Sequence, residues 1–320
     1  GEVTVGQMWQ RATGARRLEL ASRRRDESQW RQHVEPRWGS TPLGAILRPE
    51  VTGWVVAMER AGVGAWTIRG AAGVLRGLLD LAVDARLIRA NPAAGVRLPR
   101  PPAHLDRVLA PEDDGRLLAA LEQTAPGRTD GRLLGELMLY CGLRWEEGGG
   151  LDRDHVQLRY ALVDIGPVLE RDGTIRPYPK SPAGKRSVPV DPDIWPRVRA
   201  RAMATEPGGL LVVSPRGGHL DYSRWYHRVW RPALASAGLG DPQPTPHDLR
   251  HTYGTRLAEA GVPPHEIMAL MGHSSLSAVQ RYLHPGEARF ARARTAVQKG
   301  RAADERHEPE NPVTSSHAQT

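Results

Sequence analysis

The chain has one cysteine, Cys141, in 320 residues. A single thiol excludes an internal disulfide and any zinc site built on cysteines, and the residue reads as a small buried hydrophobe. No apolar run approaches the roughly 20 residues of a membrane-spanning helix, and no charged-then-apolar leader opens the sequence. The expectation is a soluble, cytoplasmic protein with no membrane partner. Glycine loops of the nucleotide-cradling kinds are missing, and so are dense carboxylate clusters, which argues against two-metal nuclease chemistry. Lysine is nearly absent, with Lys180, Lys185 and Lys299 the only three. Positive charge is therefore carried by arginine. A formal net charge of +8 and a pI near 10.1 point to a polyanionic partner.

The first hundred residues read as a small domain of four or so helices. In "WTIRGAAGVLRGLLDLAVDARLI" the positions Ile68, Ala72, Leu75, Leu79 and Ala82 alternate steps of four and three, which draws one buried stripe along a helix. Arg16, Arg17, Arg23, Arg24, Arg25 and Arg31 are expected on outward faces, either solvated or on a polyanion. The proline-rich "NPAAGVRLPRPPAHLDR" forbids helix and reads as a linker, with the boundary at 101–107. "APEDDGRLLAALEQ" then starts a helix with proline and acids in its first turn, and "RLLGELMLYC" a second that stops at Gly142 in a left-handed cap. From His155 to Val190 the pieces "ALVDI", "TIRPYPK" and "KRSVPV" suggest a small antiparallel sheet with a tight hairpin at "SPAG". Helical character returns at "SRWYHRVWRPALASAG". The last stretch, 299–320, has almost nothing to bury and is expected to be disordered.

Several residues could carry chemistry. In "HDLRHTYGTRL" His247, Arg250 and His251 fall on nearly one helix face, where an anion between them would offset their repulsion. Arg144 in "YCGLRWEEGGGL" follows a helix end, free to be presented or to pair with Glu146 or Glu147. Lys180 lies at the brink of the "SPAG" turn, where plain solvent exposure is the alternative. "GVPPHEIMALMGHSSLSAVQRYLHPG" holds two short helices around a glycine turn, a pattern shared with helix-turn-helix DNA binders. Arginine forks suit the non-bridging oxygens of a phosphodiester, tyrosine is a competent nucleophile toward phosphorus, and lysine can protonate a departing oxygen.

In order along the chain, "CGLRWEE", "PKSPAGKRSVP", "HDLRHTYGT", "MGHSS" and "QRYLH" resemble the motifs of the tyrosine recombinases, the phage integrase family. Five such pieces in the right order are specific where any one is weak. The resemblance implies a mainly α fold with a small antiparallel β-sheet: a two-domain clamp on duplex DNA. An N-terminal helical, SAM-like core-binding domain would occupy 1–100 and an α+β catalytic domain 108–298. It implies that Arg144 and Arg250 clamp the scissile phosphate, that His247 and His273 hydrogen-bond it, and that Lys180 protonates the 5′-oxygen. Tyr282 would attack phosphorus to leave a 3′-phosphotyrosyl link, with no metal, ATP or other cofactor. Glu147 would orient the site, His251 support it structurally, and Tyr253 would be a decoy for the nucleophile. A homotetramer on synapsed DNA is implied too, with "GEARFARARTAVQ" packing on a neighbouring subunit through Phe290 and Val297, and an accessory directionality factor is a further possible partner.

The chain also departs from the pattern. Gly148, Gly149 and Gly150 stand where the family carries helix formers, so the helix after Arg144 is expected to fray. The sequence opens directly in what resembles the core-binding domain, ahead of which many phage integrases carry an arm-binding module. Two alternatives share some of these features: a helix-turn-helix-like DNA binder without catalysis, and a type IB topoisomerase that relaxes DNA.

Overall fold

The computed structural model describes residues 2–15, 20–102, 107–124, 131–170, 173–179, 181–280 and 282. The expectations for Arg16, Arg17, the Arg23 side chain, Lys180, Phe290, Val297 and the 299–320 tail lie outside these residues. The chain divides into two compact units, Gly1–Leu105 and Asp106–Thr320.

The first unit is helical: α1 (Val5–Ala15), α2 (Leu20–Gln29), α3 (Arg48–Arg60) and α4 (Ala65–Asp84). The predicted stripe of Ile68, Ala72, Leu75, Leu79 and Ala82 is buried along α4, in one core with Val34, Trp38 and Trp54. Arg24, Arg25 and Arg31 are exposed. α2 does not stop at Gln29. It widens into a π turn over Trp30–Val34 and resumes as α-helix over Glu35–Trp38. Pro36 explains the widening: it has no N–H for the carbonyl of Gln32 and its ring would strike that carbonyl in a regular helix. The π turn moves the carbonyl aside.

The second unit begins with α5 (Pro111–Gln123), α6 (Gly131–Tyr140) and α7 (Trp145–Gly150). Gly142, just past α6, takes φ +64°, the left-handed conformation expected of it. Among the described residues, five short strands follow: β1 (Val156–Gln157), β2 (Leu162–Asp164), β3 (Val168–Leu169), β4 (Ile175–Arg176) and β5 (Ser187–Pro189). They form two antiparallel sheets, β1-β2-β5 and β3-β4, where the sequence suggested one. "SPAG" is consequently not the tip of a ladder hairpin. It holds a 3₁₀ turn, Pro182–Gly184, on the way from the two-stranded sheet to the three-stranded one.

Among the described residues, five further helices follow in this unit. They are α8 (Trp195–Met203), α9 (Tyr222–Trp225, continued through a π turn at Tyr226–Trp230 into Arg231–Ser236), α10 (Pro246–Glu259), and the pair α11 (Pro264–Met271) and α12 (Leu276–Gln280). Pro232 relates to the second π turn as Pro36 does to the first. Leu117, Leu134, Leu137, Val163, Val188 and Trp230 share the main core, and Ile267, Met271, Val279 and Tyr282 form a smaller one.

The expectation of a frayed α7 is corrected. Gly148, Gly149 and Gly150 are helical and buried. A Cβ on Gly148 would stand 2.6 Å from Leu134 Cδ1, and one on Gly150 would stand 2.8 Å from the Leu169 backbone nitrogen and 2.9 Å from the Pro167 carbonyl oxygen. Bare backbone is what lets α7 press against α6 and β3, so packing rather than helix propensity selects glycine there. Gly150→Ala should therefore destabilise the protein by about 1–3 kcal/mol in chemical denaturation. Gly115→Ala, in α5 with open space around it, should be neutral or stabilising by up to about 1 kcal/mol. Equal effects at the two positions would refute the packing account.

Candidate active site

α7 begins at Arg144, whose backbone N–H donates to Glu147 Oε2 at 2.8 Å. The same carboxylate, buried at 3% exposure, receives Arg144 Nη1 on Oε1 at 2.7 Å. Trp145 fixes the start of the helix from the other side: its ring meets Tyr222 edge-on at 4.9 Å and leans on Trp225 at 5.9 Å. Trp225 stacks on Trp230, whose indole N–H donates to the Pro244 carbonyl at 3.2 Å and so pins the approach to α10. Thr245 then starts α10, and Asp248 accepts its N–H at 2.6 Å and its hydroxyl at 2.9 Å. The aspartate of "HDLR" thus caps its own helix. Farther along, Arg256 forks onto Asp114 at 2.7 and 3.0 Å and ties α10 to α5.

These anchors aim Arg250 at Glu147. Arg250 is fully buried, with Nη1 donating to the Gly142 carbonyl and Nη2 to the Met271 carbonyl. Nη2 also lies 3.2 Å from His273 Nε2, and Nη1 3.7 Å from Glu147 Oε2. An arginine facing Nε2 requires that nitrogen to be the unprotonated acceptor. Gly272, in the left-handed conformation at φ +61°, ends α11 and turns the chain so that His273 faces this cluster. His273 stacks on Tyr282 with ring centroids 5.9 Å apart and planes 10° apart, and buried His251 contacts the same ring at 5.0 Å. Arg144, Arg250, His273 and Tyr282 therefore come together in one chain of contacts.

His247 is exposed on the first turn of α10, one turn ahead of Arg250. Lys180 is outside the described residues, although its neighbours Pro179 and Ser181 line a hollow of about 360 Å³ together with Arg144, Glu147 and Arg176. Tyr282 is only 3% exposed, and a Cβ on Gly254 would meet its Cε1 at 2.9 Å and Met271 Sδ at 2.7 Å. The absent side chain of Gly254 is what makes room for the ring. Tyr253 packs against Gly142 and the edge of the same small core, and burial pushes its hydroxyl pKa up to about 12.

One residue of the site was missed. Arg186 forks onto Glu147, Nη1 to Oε1 at 3.0 Å and Nη2 to Oε2 at 2.9 Å. The signal was in the alternation. Gly184, Val188 and Val190 are buried while Lys185, Ser187 and Pro189 are exposed, so Arg186 falls on the inward parity of its strand. An inward arginine requires a buried acceptor.

Residues 107–289 match the phage integrase family. The chain belongs to that family. This member is an enzyme of the tyrosine recombinase type, breaking and rejoining DNA at specific sites, in keeping with its five sequence motifs. It is 29% identical over 253 residues to the tyrosine recombinase XerC of Mycobacterium bovis, covering 78% of this chain and 82% of that protein. With the tyrosine recombinase XerD of Pseudomonas aeruginosa the identity is 29% over 216 residues, covering 68% and 70%. Among solved structures it resembles the Tn1549 transposon integrase in complex with a circular intermediate DNA, with a TM-score of 0.76 at 20% identity, covering 93% of this chain and all of that one. The lambda integrase tetramer bound to a Holliday junction gives 0.66 at 18% identity, covering 89% and 78%. These two likenesses establish the fold.

In this integrase, three guanidiniums surround the Glu147 carboxylate. Burial alone would raise its pKa, but hydrogen bonds and charge from Arg186, with Arg250 and Arg144 behind them, lower it to about 2. Burial, and then Arg144, lower the pKa of Arg250 to about 9, which leaves it charged at neutral pH. Among the described residues no three His, Cys, Asp or Glu side chains gather into a metal-holding group. No described helix is long and apolar enough to cross a membrane.

A carboxyl depressed on folding stabilises the protein above its unfolded pKa and ceases to do so as pH falls through the folded value. The contribution of Glu147 should therefore be complete above about pH 4.5 and disappear toward about pH 2. A denaturation series across that window should show a shallower pH slope for Glu147→Gln than for wild type. Identical slopes would mean that Glu147 is not the ionised partner.

Proposed function

We propose that this integrase cuts DNA by attack of the Tyr282 phenol oxygen on a backbone phosphorus and rejoins it by the reverse attack of a 5′-hydroxyl. The new Tyr282 O–P bond forms as the P–O5′ bond breaks. The Lys180 ammonium gives its proton to O5′, and His247 helps to take up the phenol proton. Arg144 and Arg250 hold the non-bridging oxygens, and His273 and His247 hydrogen-bond the same phosphate. Charge added in the five-coordinate transition state is met by the guanidiniums of Arg144 and Arg250. The phosphodiester energy is kept in the tyrosyl link, so resealing needs no separate energy source.

The observation that carries this reading is the run of contacts from Arg144 through Glu147, Arg250 and His273 to Tyr282. It draws side chains from four separated motifs onto one cluster. With Arg250 and Tyr282 both buried, the reaction also requires a rearrangement: the segment after Met271 lifts the phenol off Gly254 when DNA docks. Duplex DNA is the substrate in this reading, and the DNA complexes of the Tn1549 and lambda integrases support it. A tetramer on two synapsed sites follows the lambda example, with "GEARFARARTAVQ" exchanged between neighbours and a directionality factor as a further partner.

A suicide DNA substrate that traps the covalent step tests the chemistry. Wild type and Tyr253→Phe should both accumulate protein–DNA adduct, while Tyr282→Phe should form none and still bind DNA; adduct from Tyr282→Phe would overturn the assignment. Removing residues from Gly286 onward should abolish synapsis and leave single-site binding intact, and undiminished recombination would refute the exchange of that segment.

A further inference from the structure

Arg186 does more than neutralise Glu147. Its Nε donates to the Leu270 carbonyl at 2.6 Å and its Nη1 to the Gly184 carbonyl at 3.2 Å, in addition to the two bonds to Glu147. Arginine has five N–H donors, so four of the five are committed to protein acceptors. The side chain is 6% exposed. In this arrangement its donors are spent on the protein itself. The acceptors belong to three different pieces of the site: α7, which carries Arg144; the end of α11, which turns into His273; and the 3₁₀ turn Pro182–Gly184, which begins two residues after Lys180.

The packing around these bonds is equally close. A Cβ on Gly272 would lie 2.8 Å from Arg186 Nη1 and 2.8 Å from the Ala183 carbonyl oxygen. The turn that presents His273 is therefore seated directly on Arg186 and on the 182–184 turn. Gly184 in its turn is pressed against Pro179, whose Cβ would lie 2.4 Å from a Cβ at Gly184. Pro179 is the residue before Lys180. Backbone hydrogen bonding runs from Ile165 to the Arg186 carbonyl at 2.8 Å, so the side chain is projected from the edge of the three-stranded sheet and not from a free loop.

We propose that Arg186 is a positioning residue that sets the register of the Lys180 segment against the phosphate-holding arginines. It delivers the leaving-group acid to the 5′-oxygen without touching the DNA. This rests on the reading of Lys180 as that acid. Arg186→Met leaves Glu147 paired with Arg144 and Arg250, so the carboxylate is not orphaned. What the variant loses is the link from Glu147 to Gly184 and Leu270. Displacing a catalytic group by about 1 Å costs on the order of 100-fold in rate.

The test is single-turnover cleavage of two DNA substrates, one ordinary and one with sulfur in place of the bridging 5′-oxygen at the scissile position. A thiolate leaves without being protonated, so the sulfur substrate bypasses the acid. Arg186→Met should cleave the ordinary substrate about 100-fold more slowly than wild type. On the sulfur substrate it should recover to near the wild-type rate, as Lys180→Ala should, whereas Arg144→Ala should remain slow on both. Arg186→Lys keeps the charge but cannot span Glu147, Gly184 and Leu270 at once. It should show the same recovery, and it carries the test if Arg186→Met does not fold. Recovery of Lys180→Ala without recovery of the Arg186 variants overturns the positioning role and leaves Lys180 as the acid. Recovery of neither overturns Lys180 as the acid and this proposal with it. A wild-type rate for both Arg186 variants on the ordinary substrate also overturns it.

Discussion

One buried carboxylate facing three guanidiniums is the constraint on which the rest of the site depends. Glu147 is short of negative charge by design: Arg144, Arg186 and Arg250 share it, and the cluster keeps a net positive charge. That surplus is the electrostatic complement of a phosphodiester, which becomes more negative on the way to its transition state. Without the carboxylate, three cations would face one another at low dielectric and none would keep its direction. With it, each is fixed by hydrogen bonds of defined geometry before any substrate arrives.

Holding that cluster needs a rigid surround, and the molecule supplies it by close approach more than by bulk. The three glycines of α7 admit Leu134, Leu169 and the Pro167 backbone, Gly254 admits the Tyr282 ring, and Gly272 admits Arg186. The aromatic side chains of α7 and α9 brace the far side. The site is thus built on close approach: a Cβ at Gly254 or Gly272 would displace a side chain of the site, and one at Gly148, Gly149 or Gly150 would push α7 off its neighbours.

Much of this was legible in the sequence. The stripe along α4, the left-handed stop at Gly142, the acidic first turn of α5 and the break at "GHSS" follow from periodicity and from glycine and proline chemistry. Arg144, Arg250, His273 and Tyr282 were singled out because their types match one reaction, and the structure brings these four side chains together. What could not be read there depended on neighbours distant in the chain. Helix propensity predicted a weak α7 because it takes no account of β3 pressed against the three glycines. Strand propensity found the β pieces but not their division between two sheets, since "TIRPYPK" pairs with Val168 and Leu169 while "KRSVPV" pairs with β2. The burial of Tyr282 was not legible, because a tyrosine after "MGHSS" says nothing of the bare patch at Gly254 that receives it. Arg186 was missed although its parity marked it, because a buried arginine is recognised only when its acceptor is known.

The second π turn has a consequence for how this protein can vary. Tyr226–Trp230 takes one more residue than a regular turn would, and everything beyond it is oriented accordingly. The wide turn absorbs that residue, so losing one there would restore ordinary winding while the helix beyond kept its direction. Regular winding would, however, put the carbonyl four residues back in the path of the Pro232 ring. Length and proline are thus tied to each other in this helix: a one-residue deletion is accommodated only where Pro232 is replaced as well.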